Sequence, residues 1–255
     1  RAVVGKIPGW VWPVLAFPAV YVNFTHGHNG FLTATLFGLA CLMLDKRPVL
    51  AGILIGCLAY KPHFGFLIPL ALLVGAYYRA FFSASATVLG LCALSTLVFG
   101  IDIWAAFFES LTLSREVVLE TGDTGWFKIQ SIFSAIMMWT DSKTLAYVAQ
   151  GLLALFVTIT IVLAFHRRVT SEDKFALLMI GSLLFTPYLL DYDLVLMAPA
   201  IAFLAARGLR DGFRDYEVSL LFLAWFAPLL TRPLMKVTGI PLGFIAAFAL
   251  FFIVA

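Results

Sequence analysis

Three short polar breaks interrupt an otherwise apolar chain, and they hold most of its side chains capable of chemistry. Tyr60-Lys61-Pro62-His63-Phe64-Gly65 sets a lysine and a histidine about a proline, between two strongly apolar runs. Upstream stands Thr25-His26-Gly27-His28-Asn29-Gly30, and downstream Pro187-Tyr188-Leu189-Leu190-Asp191-Tyr192-Asp193. A cation placed where a helix stops, beside freed backbone groups, suits an anionic ligand, phosphate above all. Lys61 therefore reads as a phosphate ligand with His63 beside it; the alternative is a lysine that snorkels to the headgroups from the end of a short helix. His26 and His28 have His-x-His spacing, but no convincing third ligand accompanies them, so they read as hydrogen-bonding groups for a phosphate or a sugar hydroxyl, with no metal. Asn29 adds the donor and acceptor that carbohydrate hydroxyls use. Asp191 and Asp193 bracket Tyr192 with no lysine or arginine near them along the chain. Unpaired carboxylates at membrane depth are costly, and a partly desolvated one is fitted to take a proton from a hydroxyl. The competing role for either is a helix N-cap.

The elements that must position these breaks are membrane helices. Of 255 residues, 62% are hydrophobic and 12% charged, against roughly 25% charged in soluble domains, and the mean hydropathy is +1.01. No two-residue alternation of the outer-membrane barrel type runs through the apolar segments, so the spans are helical and satisfy their own backbone groups. Cys41, Cys57 and Cys92 lie singly in apolar runs and read as packing residues. The net charge of +3 is scattered among loops and gives no basis for nucleic-acid binding. Nucleotide-binding glycine loops, serine nucleophile elbows and HExxH zinc motifs do not occur, which removes the soluble enzyme classes built on them.

A bilayer crossing needs roughly 20 apolar residues, and segments of that kind fall at about residues 9–25, 31–44, 80–99, 143–165, 173–189, 193–206, 216–231 and 239–255. The interval from Pro48 to Tyr78 is too long for one span and is divided at Lys61-Pro62, which admits two short spans, a re-entrant hairpin or one kinked helix. Charge favours a return. With two spans or a hairpin, Arg1 to Lys6, Asp45-Lys46-Arg47, Arg79, His166-Arg167-Arg168 and Arg207 to Arg214 share one side, which the positive-inside rule makes cytoplasmic. All three polar breaks then collect on the extracytoplasmic side, together with a loop at about 100–142, and Arg232 and Lys236 are exceptions to the rule. Within that loop, Ile103 to Leu119 has apolar residues at helical spacing suited to lying in the membrane plane, and Glu109, Glu116 and Glu120 read as a solvated face. Gly52 and Gly56 form a small-xxx-small pair for close packing inside the chain. The whole reads as a single transmembrane domain over residues 1–255; with no initiating methionine at Arg1 and an apolar run reaching Ala255, it is expected to be a fragment.

Gly27-His28-Asn29-Gly30-Phe31-Leu32-Thr33, Asp45-Lys46-Arg47-Pro48-Val49-Leu50-Ala51-Gly52, Tyr60-Lys61-Pro62-His63 and Pro187 to Asp193, taken together, resemble glycosyltransferase family 87 over most of the chain. The resemblance implies an all-α, polytopic transmembrane bundle of the GT-C fold, with broken or re-entrant helices on its extracytoplasmic side, in a bacterial plasma membrane. It implies a one-step inverting transfer of a sugar, mannose in the polyprenol-phosphate-dependent members, from a lipid-linked donor to a glycolipid or glycan acceptor hydroxyl, with membrane lipid around it and no cofactor. Donor phosphate would meet Lys61, His63, His28, Asn29, His26 and Tyr192. Members often have glutamine where this chain has His28 or His63, so hydrogen bonding carries over better than imidazole titration. The catalytic aspartate of such enzymes typically stands in the first extracytoplasmic loop, which places it upstream of Arg1 and makes Asp191 and Asp193 second-choice bases. The residues themselves leave two rivals, a lipid-substrate transporter or flippase and a non-catalytic membrane assembly subunit.

Overall fold

The computed structural model describes residues 9–167 and 169–255, and the described chain is all-helical apart from one isolated antiparallel bridge between Ile129 and Leu190. The basic stretch Arg1 to Lys6, and Arg168, lie outside the described residues. In chain order the α-helices are α1 (Val11–Leu15), α2 (Pro18–His26), α3 (Gly30–Met43), α4 (Pro48–Gly56), α5 (Leu67–Val74), α6 (Tyr78–Phe99), α7 (Ile103–Ser114), α8 (Ile132–Thr140), α9 (Lys143–His166), α10 (Ser171–Phe185), α11 (Met197–Asp211), α12 (Glu217–Thr238) and α13 (Leu242–Val254). Short 3-10 turns cover Cys57–Tyr60, Pro62–Gly65, Trp126–Lys128 and Asp191–Leu196, and a π turn covers Arg115–Glu120. Among the described residues, four stretches are long and apolar enough to cross a membrane: α6, α9, α12, and the 3-10 turn at Asp191 continued by α11. The protein is polytopic and all-α.

At the centre stands α10, buried without interruption from Phe175 to Leu184, as expected of a helix that is apolar all round. It packs against α5, α9, α11 and α13. Its run stops at Phe185 rather than at 189, because Pro187 pushes Thr186 into extended backbone (ψ 139°). A second correction concerns residues 9–25: Pro18 starts a new helix there, so the segment is two helices, α1 and α2. A third is α12, which carries Pro228 and Pro233 internally and continues to Thr238, beyond the limit expected from composition.

The interval from Pro48 to Tyr78 folds as a hairpin. Helix α4 and its 3-10 extension rise to Lys61, and the chain turns at Pro62 and returns through α5; each limb is too short for a full crossing of ~20 residues. Closure is visible at the base, where the Tyr77 hydroxyl donates to Asp45 Oδ1 at 3.0 Å. Gly52 and Gly56 seat α4 on α6, with Ala80 O and Thr87 Cβ where side chains would stand, the intrachain use expected of the small-xxx-small pair. Cys41, Cys57 and Cys92 are free thiols, Cys41 buried in the core. Exposed on nearly every side, α7 touches the end of α6 and the π turn after it. Glu120 at the end of that turn accepts from Lys143 (3.1 Å) and Tyr147 (3.1 Å), and the Lys143 hydrogen bond holds its carboxyl below the usual range.

Candidate functional site at the polar breaks

Each polar break ends a helix for a local reason, and each brings its side chains to the same end of the bundle. Helix α2 ends at Gly27, whose φ of +64° is a left-handed position that glycine tolerates. The return into α3 is locked by buried Asn23, which accepts the Gly30 N–H at 3.1 Å; a β-carbon on Gly30 would meet Asn23 Oδ1 at 2.5 Å and Val195 at 2.8 Å. That close approach seats the α2–α3 junction on the 3-10 turn that carries Asp191, Tyr192 and Asp193. The hairpin apex is tied to α3 by the Tyr60 hydroxyl, 2.7 Å from Thr33 Oγ1.

Two ion pairs form the interior of the site. Lys61, 6% exposed, bonds to Asp193 Oδ1, although 132 residues separate them. Its ammonium lies 5.2 Å from the Tyr192 ring and 5.9 Å from the Phe64 ring, so two π faces complete its surroundings. Asp191, equally buried, takes Nε (2.6 Å) and Nη2 (2.5 Å) of Arg232 on Oδ2. Its Oδ1 is buried with no hydrogen-bond partner among the described residues. His28 stacks on Tyr192 with ring centroids 4.0 Å apart, and His26 lies 6.0 Å beyond it, nearly parallel.

His26 also joins the Arg232 side. Its Nε2 lies 2.7 Å from Arg232 Nη2 and its Nδ1 2.5 Å from the carbonyl of Val22. A guanidinium can only donate, so Nε2 accepts and the proton sits on Nδ1, donated to Val22. The arginine is thus held by a carboxylate on one side and a neutral imidazole on the other. Its side chain is still 33% exposed.

Several expectations need correction. Asp191 and Asp193 are not unpaired: the partners come from α12 and from the hairpin apex, out of reach of any local reading. Neither caps a helix through its side chain. Lys61 does not snorkel; it turns inward onto Asp193. His63 lies against Phe64 (4.4 Å between centroids) with its Nε2 buried and unpartnered among the described residues, while Asn29 is exposed. Lys61, His28, His26, Tyr192, Asp191 and Asp193 are therefore joined through direct contacts. Among the described residues, the Asn29 side chain makes no hydrogen bond to that group, and His63 meets it only by way of Phe64, whose ring lies 5.9 Å from the Lys61 ammonium.

Sequence reasoning missed Arg232 and a buried amide network behind it. Gln130 Oε1 accepts from Thr231 Oγ1 (2.6 Å) and Gly243 N–H (3.3 Å), its own N–H donates to Leu189 O (2.6 Å), and its Nε2 reaches Phe127 O (3.2 Å). This ties the loop before α8, the Pro187 break and the α12–α13 turn into one support. The available signal for Arg232 was its defiance of the positive-inside rule: a guanidinium within an apolar run on that side demands a partner.

A family model, glycosyltransferase family 87, matches residues 2–199. The chain belongs to glycosyltransferase family 87. Comparisons with curated proteins and with solved structures give no match. As a family 87 member with four helices among the described residues able to cross a membrane, the protein is a membrane glycosyltransferase. The matched range contains both ion-paired carboxylates, Lys61 and the histidine stack; Arg232 lies beyond it.

Proposed function

We propose that the protein transfers a sugar, mannose by its resemblance, from a polyprenyl-phosphate carrier to an acceptor hydroxyl on the extracytoplasmic face of a bacterial plasma membrane, inverting the anomeric centre. The observation that carries the reading is the meeting of three sequence-distant breaks in one cluster with two buried carboxylates, two cations and a histidine–tyrosine stack. Sugar-phosphate cleavage needs positive charge where the leaving phosphate develops its own, and a carboxylate where the attacking hydroxyl sheds its proton.

The acceptor oxygen attacks the anomeric carbon, its proton passes to a carboxylate, and the bond from that carbon to the phosphate oxygen breaks with its electron pair leaving on the lipid phosphate. Of the two aspartates, the proton is assigned to Asp191, whose Oδ2 takes Arg232 while its Oδ1 has no hydrogen-bond partner among the described residues. Lys61 holds Asp193 and adds its field beneath Tyr192. The His28–Tyr192 stack offers a flat, half-open wall of the kind that sugar rings lie against. No helix or cofactor outside this cluster enters the reading. Its test is transfer of labelled mannose from a polyprenyl-phosphate donor by the purified full chain in lipid discs, with Asp191→Asn for comparison. Loss of about 10²-fold or more in turnover is expected for that general-base role; full turnover by the variant removes Asp191 from the mechanism.

A further inference from the structure

Beside the cluster, α2 and α12 run in the same direction, and an open apolar furrow of about 370 Å³ separates their outer sides. Pro18, Tyr21 and Val22 line one wall, and Trp225, Phe226 and Leu229 the other. Helical spacing carries both walls onward to the clamp. Pro18, Val22 and His26 succeed one another at four-residue intervals along α2, and Trp225, Leu229 and Arg232 share a face of α12. At the furrow's end, Arg232 is oriented by Asp191 and His26, one third exposed, with no hydrogen bond from Nη1 among the described residues. The other cation of the site is differently placed, since Lys61 is enclosed by Asp193, Tyr192 and Phe64.

We propose that the furrow between α2 and α12 holds the isoprenoid chain of the lipid-linked donor and that Arg232, set by His26 and Asp191, binds its phosphate. The inference rests on the polyprenyl-phosphate reading of the reaction and adds the path of the lipid and the residue that grips it. An apolar trough ending on a planar cation with a free N–H matches an amphiphile with one anionic end. Helix α12 lies outside the residues that the family model matches.

The test is binding, followed without turnover. Full chain in lipid discs is titrated with a polyprenyl monophosphate that carries a photoactivatable group in its tail, and cross-linked peptides are mapped. Cross-links to α2 and α12 near Tyr21, Trp225 and Leu229 are expected, with binding weakened at least tenfold in Asp191→Asn/Arg232→Gln, a pair that removes both charges together and so leaves no buried carboxylate unpaired. Inorganic phosphate is the second arm and should displace the lipid only at far higher concentration. Cross-links in the other large apolar groove, between α4, α5 and α6 at Ile55, Phe64 and Leu89, overturn the inference and leave the donor reading standing. So does unchanged affinity in the double variant. Equal competition by inorganic phosphate assigns Arg232 to a free anion and removes the furrow. Failure of the unaltered protein to bind any polyprenyl phosphate overturns the donor reading together with the inference.

Discussion

Helices α10 and α11 carry a buried charge cluster at each end, and the two clusters are built on opposite plans. At the end where α10 begins and α11 finishes, Arg207 bonds to Glu217 and to Gly212 O (2.8 Å) and lies 3.3 Å from Asp173. Arg214 meets Asp173 at 2.7 Å and Glu217 at 3.4 Å, while its backbone N–H fills Glu217 Oε2 at 2.9 Å. Asp173 is foremost in holding Arg214's guanidinium above its usual range. All four side chains share partners, and three are nearly sealed from solvent. At the other end, among the described residues, each carboxylate has a single cation, one oxygen of Asp191 has no partner, and histidine and arginine surfaces stay exposed. Shared, multidentate pairing closes a structure; single pairing leaves capacity for a substrate. The first cluster joins three helix ends into a lock, and the second is an open site.

Removing one member from each cluster gives the sharpest separation. Lys61→Met leaves Asp193 as a buried carboxylate without its cation, which costs about 3–5 kcal/mol, and it removes charge next to the reacting groups. Both thermal stability and turnover should collapse. Lys61→Met/Asp193→Asn should recover most of the stability, measured by thermal unfolding in detergent, without recovering turnover. If the double variant transfers sugar at the normal rate, the Lys61–Asp193 pair is a second structural lock and the contrast between the two ends fails.

Arg207→Met makes the opposite prediction at the closed end. It strips one of two cations from Asp173 and Glu217, which keep Arg214, so the cost should fall below the about 3–5 kcal/mol of a carboxylate left unpaired, and turnover per folded molecule should not change. A lowered turnover with an unchanged folded fraction shows that the two ends are coupled through α10 and α11.

How far the sequence leads is itself uneven between these ends. Helix existence followed from apolar length, and the turn at Lys61-Pro62 followed from proline chemistry together with the distribution of arginine and lysine, so the hairpin and the common end of the three breaks were legible. Pairing was not. Asp191 meets Arg232 across 41 residues and Lys61 meets Asp193 across 132, and no local pattern encodes such distances. Prolines also read ambiguously: Pro18 and Pro187 begin or end helices, while Pro228 and Pro233 are carried inside α12, where neighbouring helices take up the disturbance. The consequence was specific, because shortening α12 at residue 231 hides Arg232 as a loop charge.

The junction that seats the histidines offers a graded test. Gly30→Ala forces a methyl group onto Asn23 Oδ1 and Val195, and overpacking of that kind costs about 1–3 kcal/mol. Because the displaced atoms belong to the support of His26, His28 and Tyr192, turnover should fall along with stability, more than for an equally destabilising change near Arg207. Equal turnover losses from the two remove the claim that the open end depends on local placement.

The smallest effect is expected at the hairpin apex. Tyr60→Phe deletes the hydroxyl that meets Thr33, a single neutral hydrogen bond whose partner keeps a second one to the Asn29 carbonyl at 3.1 Å. Loss of one such bond costs about 0.5–1.5 kcal/mol. Because Thr33 is left satisfied, the lower half of that range applies, and Lys61 remains anchored by Asp193. The closed cluster spreads each group over several partners, whereas the apex hangs on a few single contacts, so a small shift in stability should come with a measurable rise in the donor concentration needed for half-maximal rate. Thr33→Val also deletes the bond to the Asn29 carbonyl, so it should cost more stability than Tyr60→Phe, and adding Tyr60→Phe to it should change either quantity little. Additive losses mean that the two side chains act separately, and that the apex is held by something other than the bond between them.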